Sequence, residues 1–269
     1  MARPQGRVED RSGMRQVLSK LRRFRTSRPG QALVEAALTL PLTTFLILGS
    51  IQLFLMQQAR LMADYAAMRA TRAGSVNFGD CRSMTHAAIG AVLPTFARTD
   101  TPVNLGNSFR ARAGNDYGGT TGTNGTGFTG PVVWIFRERP VSTTIDPNED
   151  FDMFLQSADN QRLEVRLIFW YPLRIPFADW VMTRMFLAHY GLQSYLASNP
   201  LSETKTANWP TGFQTSDLSS YSSLAVQQEF LTRARRGEYV YPIQSTYSMR
   251  MMTPPKPAFW QTQNCYPVP

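Results

Sequence analysis

The sequence predicts an α+β protein carried on one long, membrane-length helix, and three observations predict it. Residues 36–59 hold no charged side chain. Nine Lys or Arg stand against two acids within residues 1–30, on one flank of that stretch. Beyond it, a few segments of period-two alternation are interspersed with short helical patterns, which suits a small domain of mixed elements better than a regular βαβ repeat.

The apolar stretch sets the organisation. As a helix its 24 residues rise roughly 36 Å against a hydrocarbon core of about 30 Å, enough for one tilted crossing. Residues 1–30 carry +7 of the chain's +9, leaving +2 for residues 31–269. The pI near 9.9 is therefore a topology signal rather than a nucleic-acid footprint. Positive-inside bias makes residues 1–30 a cytoplasmic leader and exports everything after the span, while the membrane itself is the first expected partner. A secretory signal peptide would have an apolar region of about 7 to 15 residues and an A-x-A-like cleavage site, a pattern this stretch does not follow.

Three features along the helix call for a physical reason. Glu35 is a carboxylate at the mouth of the span; at the centre it would cost on the order of 2.5 to 3.5 kcal/mol, less at the interface, so a partner is expected for it. Pro41, a turn and a half further on, removes a backbone hydrogen bond, so a kink or loosened turn is expected, with Thr43 and Thr44 near enough to satisfy freed carbonyls. Ala59, Ala63, Ala66, Ala70 and Ala73 recur at three- and four-residue steps, marking a face that another backbone can approach closely. The helix is expected over residues 31–74, with Gly74 as its stop.

Residues 75–269 are long enough for a domain with its own core. A short amphipathic helix is expected over residues 84–97, with Pro94 inside it. The Gly/Thr/Asn run at 113–130 reads as a loop. Residues 132–136 read as a strand, and 163–171 as the clearest one, with Val165, Leu167 and Phe169 alternating against Glu164, Arg166 and Ile168. Residues 172–176 should stay extended between their prolines. Residues 178–197, rich in aromatics and Met, read as a buried or surface-lying helix rather than a second span. A polar linker at 198–223, a helix at 224–237 and a closing strand at 241–252 complete the domain. Cys81 and Cys265 both lie on the exported side, where an oxidising compartment permits a bridge closing a loop of 184 residues; two separate thiols are the alternative.

Tests for catalytic chemistry fail one after another, so no enzyme, cofactor or metal site is expected. His86 and His189 have no second histidine one turn away. Gly125 to Gly130 matches a dinucleotide fingerprint by letters but precedes a strand instead of opening a helix after one. Lys20, Lys205 and Lys256 are the three lysines, none in a phosphate loop, and no G-x-S-x-G turn occurs. Asp146, Asn148, Asp150 and Asp152 alternate as at the start of a calcium loop, yet Phe151 stands where the turn needs glycine and Ser157 where it needs an acid. Trp134, Trp170, Tyr171, Trp180 and Trp260 could form a ligand surface or simply a core.

The order basic leader, Gly30, Glu35, Leu40-Pro41-Leu42, Gln58-Ala59-Arg60-Leu61 and Ala66-Ala67-Met68-Arg69-Ala70-Thr71-Arg72-Ala73 resembles the TadE-like family of tight adherence (Tad) pilus assembly proteins, over about residues 28–73. The resemblance implies a minor pilin or pseudopilin of a Tad-type adhesion pilus, single-pass in the inner membrane with its C-terminal domain periplasmic. It implies a prepilin peptidase as partner, cutting between Gly30 and Gln31, and other pilins and the Tad inner-membrane machinery as further partners. Glu35 would then meet the free amine of a neighbouring subunit, with Pro41 and the alanines Ala59, Ala63, Ala66 and Ala70 serving subunit packing. Ala36 departs from the aromatic residue that often follows the glutamate, and Asp217-Leu218-Ser219-Ser220-Tyr221 breaks the metal motif of some relatives. The alternative is an unprocessed, signal-anchored periplasmic binding or secretion-complex component.

Overall fold

The computed structural model describes residues 29–118, 127–142, 145, 161–189, 195–199, 202–207 and 224–265. The chain is α+β. Helix α1, Pro29–Val76, spans 48 residues and runs unbroken through Pro41. It is followed by α2 (Cys81–Val92), a 3₁₀ turn (Leu93–Thr95) and α3 (Pro102–Arg110). Then come β1 (Val133–Arg139), β2 (Arg162–Pro172), α4 (Ala178–His189), the pair β3 (Tyr195–Asn199) and β4 (Ser202–Ala207), α5 (Leu224–Arg235) and β5 (Val240–Arg250). By contact the chain divides into residues 1–47 and 48–269; the second unit is the domain described next.

Its core is a three-stranded antiparallel sheet ordered β1-β2-β5. Val133, Ile135 and Arg137 face Phe169, Leu167 and Val165 in register, and Ile243, Ser245 and Met249 face Phe169, Leu167 and Leu163. Directly paired residues share a face, so these side chains form one surface of the sheet. The central strand starts by alternating and is wholly buried from Leu167 onward, because its other face is covered too. There Trp170 meets Trp134 edge-on at 5.1 Å and lies under the Arg233 guanidinium of α5 at 4.8 Å.

The first face is covered by α1. A Cβ placed on Gly74 would sit 2.8 Å from Leu163 Cδ2 and from Met84 Sδ, which puts the end of the helix against the start of β2. At the far end Gln52 Oε1 accepts the N–H groups of Arg174 (3.2 Å) and Ile175 (3.0 Å), just past the end of β2. From 52 to 74 is roughly 33 Å of helix and from 163 to 174 roughly 36 Å of strand, so α1 lies antiparallel along the central strand.

Several expectations change here. Gly74 does not end the helix. The stop is a left-handed Phe78 (φ 56°) followed by Gly79 (φ 81°), with the Gly79 N–H bonded to the Gly74 carbonyl at 2.9 Å, a Schellman-type closure. The helix expected at 84–97 begins at Cys81, because Asp80 caps it through Arg82 N and Ser83 N, and Pro94 lies in the 3₁₀ turn beyond it. Helix α3 falls in a region left unassigned from sequence, although Thr101 accepts the Asn104 N–H and Pro102 opens the first turn. The helix expected over 178–197 ends at His189, and residues from its tail and from the expected polar linker pair as β3 and β4. The calcium-like acids at 146–152, the Asp217 motif and residues 119–126 of the Gly/Thr run lie outside the described residues.

Candidate functional site

The helix that carries the resemblance divides by what surrounds it. From Ala32 to Ile51 no described residue is buried, and Leu33, Leu38, Leu40, Leu42 and Leu46 are all strongly exposed. Gln52 is the first buried position. Residues 32–51 make about 30 Å of helix, the thickness of a hydrocarbon core. One helix among the described residues is long and apolar enough to cross a membrane, and this is it. Over the last two turns of the uncharged run at 36–59 the domain takes one face of the helix, burying Gln52 and Ala59 while Leu53 and Phe54 stay exposed.

Glu35 is exposed in the second turn, and its backbone carbonyl accepts the Thr39 hydroxyl at 2.9 Å. Thr43 bonds back in the same way to the carbonyls of Thr39 and Leu40, both at 3.0 Å. These threonines bind their hydroxyls internally in the turns flanking Pro41, which is how a polar side chain is accommodated on an apolar helix. Gly30 stands in open space, with nothing within 4 Å of where a Cβ would lie. Packing within the chain therefore gives no reason for glycine there.

The alanine face has a different partner from the one expected. Ala63, Ala66, Ala67 and Ala70 are completely buried and Ala59 nearly so, all within the core of this same domain. Their close-approach surface is turned into the core of the chain's own domain. Likewise Trp134, Trp170, Tyr171 and Trp260 are buried; as a ligand surface they are overturned, and only Trp180 of that set is exposed. His86 holds a structural contact, with Nε2 3.1 Å from the Ala113 carbonyl and the ring edge-on to Phe109.

A second constellation, unforeseen from sequence, fastens the end of the chain to the end of α1. Arg137 is buried on the helix-covered face of β1. It donates to the backbone carbonyls of Gly79 (2.7 Å), Phe259 (2.9 Å), Gln263 (3.1 Å) and Thr262, while its guanidinium lies 3.8 Å over the Trp260 ring. Burial pushes its pKa down to about 10, with Asp80 acting weakly in the opposite direction. Trp260 donates its indole N–H to the Phe78 carbonyl at 3.0 Å and occupies the space beside Gly79. Next to this knot Cys81 and Cys265 are joined as a disulfide, Cα to Cα 5.2 Å. Phe78, Gly79, Arg137 and the tail meet only in the fold; an Arg-Glu-Arg run at a strand end reads in sequence as exposed.

Residues 30–72 match the family model described as TadE-like protein. The match begins at Gly30 and stops just short of Gly74, so it takes in the exposed apolar stretch and the alanine seat but none of the sheet. No curated protein and no solved structure matches the chain. The TadE-like segment supports a Tad pilus-related protein, and its apolar half suggests a membrane anchor.

Proposed function

We propose that this chain is a non-enzymatic minor pilin or pseudopilin-like subunit for assembly of a Tad-type adhesion pilus. In this reading residues 32–51 hold it in the inner membrane, the leader stays cytoplasmic and the domain is periplasmic. Prepilin peptidase cuts after Gly30, and Glu35 pairs with the amine of Gln31 on a neighbouring subunit before or during incorporation into the pilus.

The observation that carries the reading is one juxtaposition on one helix. Inside the TadE-like match, an exposed carboxylate stands five residues after a glycine in open space, at the head of about 30 Å of uncovered apolar surface. An apolar surface of this extent needs a bilayer or other helices around it. A carboxylate in that setting needs a cationic partner, and a newly freed amine is one. Gly30 stands in the first turn of the helix at a cost of about 1 kcal/mol relative to Ala, so that turn opens more readily for a protease. The disulfide fits an oxidising compartment for the domain.

The test is the N-terminal sequence of the protein recovered from membranes and from sheared pili. Gln31 as first residue is expected. A start at Met1 or Ala2 would remove processing and favour the unprocessed anchor of a periplasmic complex. Glu35→Ala should then separate the two: pilus assembly falls sharply on the pilin reading, whereas membrane retention and the domain's stability stay unchanged.

A further inference from the structure

The end of the sheet where α1 emerges from the domain carries exposed apolar side chains that the core does not use. Phe177 precedes α4, and Trp180 and Met185 lie on its outer side; their exposures are 55, 47 and 61%. Val181, Arg184 and Ala188 on the same helix are half-buried, while Met182 and Leu187 point into the core. The outward side of the helix thus carries Phe177, Trp180 and Met185, with Arg184 between them.

Its position is fixed by the bonds from Arg174 and Ile175 to Gln52, the first buried residue after the uncovered stretch. Ala178, the first residue of α4, follows Ile175 by three positions. The α5–β5 turn lies at the same end, because the Leu173 N–H bonds the Tyr239 carbonyl at 2.9 Å, and it brings exposed Arg236 there. Arg174 is also exposed. Against these cations, acids among the described residues at this end include Asp179, whose carboxylate accepts the Trp180 N–H at 2.6 Å, Glu238, buried and bonded to Thr129, and Glu229, paired with Arg233.

We infer that the outer face of α4, with Phe177, Trp180 and Met185, lies in the interfacial layer of the same bilayer that α1 crosses. The inference rests on the proposed anchor and extends it from one helix to the domain. Trp favours this layer, where its ring is half in apolar surroundings and its N–H stays hydrated. A helix lying in the interface buries its apolar face about 5–10 Å deep. That depth corresponds to some three to seven residues of α1, so α4, starting level with Gln52, need not displace the core of the domain to reach it. Arg236 at the rim suits anionic headgroups, while the Arg174 guanidinium donates to the Phe96 carbonyl.

The full-length protein, reconstituted in phosphatidylethanolamine and phosphatidylglycerol vesicles with brominated acyl chains, tests this by tryptophan quenching. Wild type is compared with Trp180→Phe, an exposed substitution that leaves the core alone. Bromine-dependent quenching should be largely lost in the variant, because Trp134, Trp170 and Trp260 are buried in the core of the domain. Equal quenching in both proteins, with Trp180 reached by aqueous acrylamide, overturns the inference in favour of a face in water. Equal quenching with Trp180 shielded from acrylamide as well overturns it in favour of a protein partner. Alkaline carbonate extraction of the same vesicles reports on the anchor separately: retention with no Trp180 quenching sinks the interfacial face alone, whereas release sinks the anchor.

Discussion

Replacing both cysteines, Cys81→Ser with Cys265→Ser, tests whether the tail stabilises the domain chiefly by restricting the unfolded chain. The bridge closes a sequence separation of 184 residues. On the chain-entropy account a loop of that size removes about 5 kcal/mol of unfolded-state entropy at 25 °C. Little should be lost on the native side, since the tail has other anchors. Arg137 holds three of its carbonyls, Trp260 bonds the Phe78 carbonyl, and the Cys265 N–H bonds the Ile135 carbonyl at 3.0 Å. Urea unfolding of the full chain in detergent, followed by the buried tryptophans, should show a midpoint lower by about 2 to 3 M at an m-value near 2 kcal/mol/M, and a steeper m because the released chain exposes more surface. A midpoint shift under about 0.5 M with unchanged m would refute the reasoning.

Gly79→Ala should be among the most damaging single changes: a Cβ there meets the Trp260 ring at 2.6 Å on a backbone with φ +81°. Left-handed strain of about 1–2 kcal/mol and overpacking of about 1–3 kcal/mol predict a clear fall in the urea midpoint, and a neutral result would mean Trp260 swings away freely. Asp80→Ala should cost about 1 kcal/mol as a lost N-cap. Burial alone would raise the Asp80 pKa, but hydrogen bonds from Ser83 and Arg82 outweigh it and hold it below 3.8; its contribution is therefore present above that value and disappears as pH falls further, which a pH series on wild type and variant measures. Tyr117→Phe removes the donor to the Trp170 carbonyl and should cost about 1–3 kcal/mol. Burial raises the Tyr117 pKa above its usual 10, so that loss should be constant at every pH below 10 and shrink only above it. Gln52→Leu takes away the acceptor shared by Arg174 and Ile175, and faster proteolysis within 174–180 is the expected readout.

What could be read from the sequence was whatever one element decides by itself. Strand β2 was legible because its first half buries one face only, so alternation at Leu163, Val165 and Leu167 survives in the letters. The alanine face was legible as a packing face but not as to its partner, since small residues at helical spacing state how near something comes and not what it is. Gly74 misled for the same reason: its missing Cβ makes room for Leu163 and Met84, whereas the turn that ends the helix uses Phe78, whose N–H is taken by Thr253 Oγ1 at 3.0 Å from far along the chain. Arg137 was invisible because its acceptors are backbone carbonyls of the tail, which carry no side-chain signature. The helix expected over 178–197 ran too long because continuous apolar residues look alike in a helix and in a paired strand.

The division of α1 at Gln52 also separates two kinds of sensitivity. Before it, side chains face surroundings outside the folded domain, so Gly30, Glu35 and Pro41 can change without disturbing the sheet. After it, each alanine lies against the core, where even one added methylene forces neighbours off their rotamers at about 1–3 kcal/mol. The domain is fixed to the helix at both ends of the seat, by Gln52 at one and, past the helix end at Val76 roughly 36 Å away, by the knot of Gly79, Arg137 and Trp260 at the other. Between these points the helix has no slack to slide along β2, because Gly74 fits only where Leu163 and Met84 leave room for it. Of the described residues, the first buried one lies more than twenty positions beyond Gly30. On the proposed processing, a Gly30 variant that is not cleaved should unfold at the same urea concentration as the wild type, because Gly30 stands in open space.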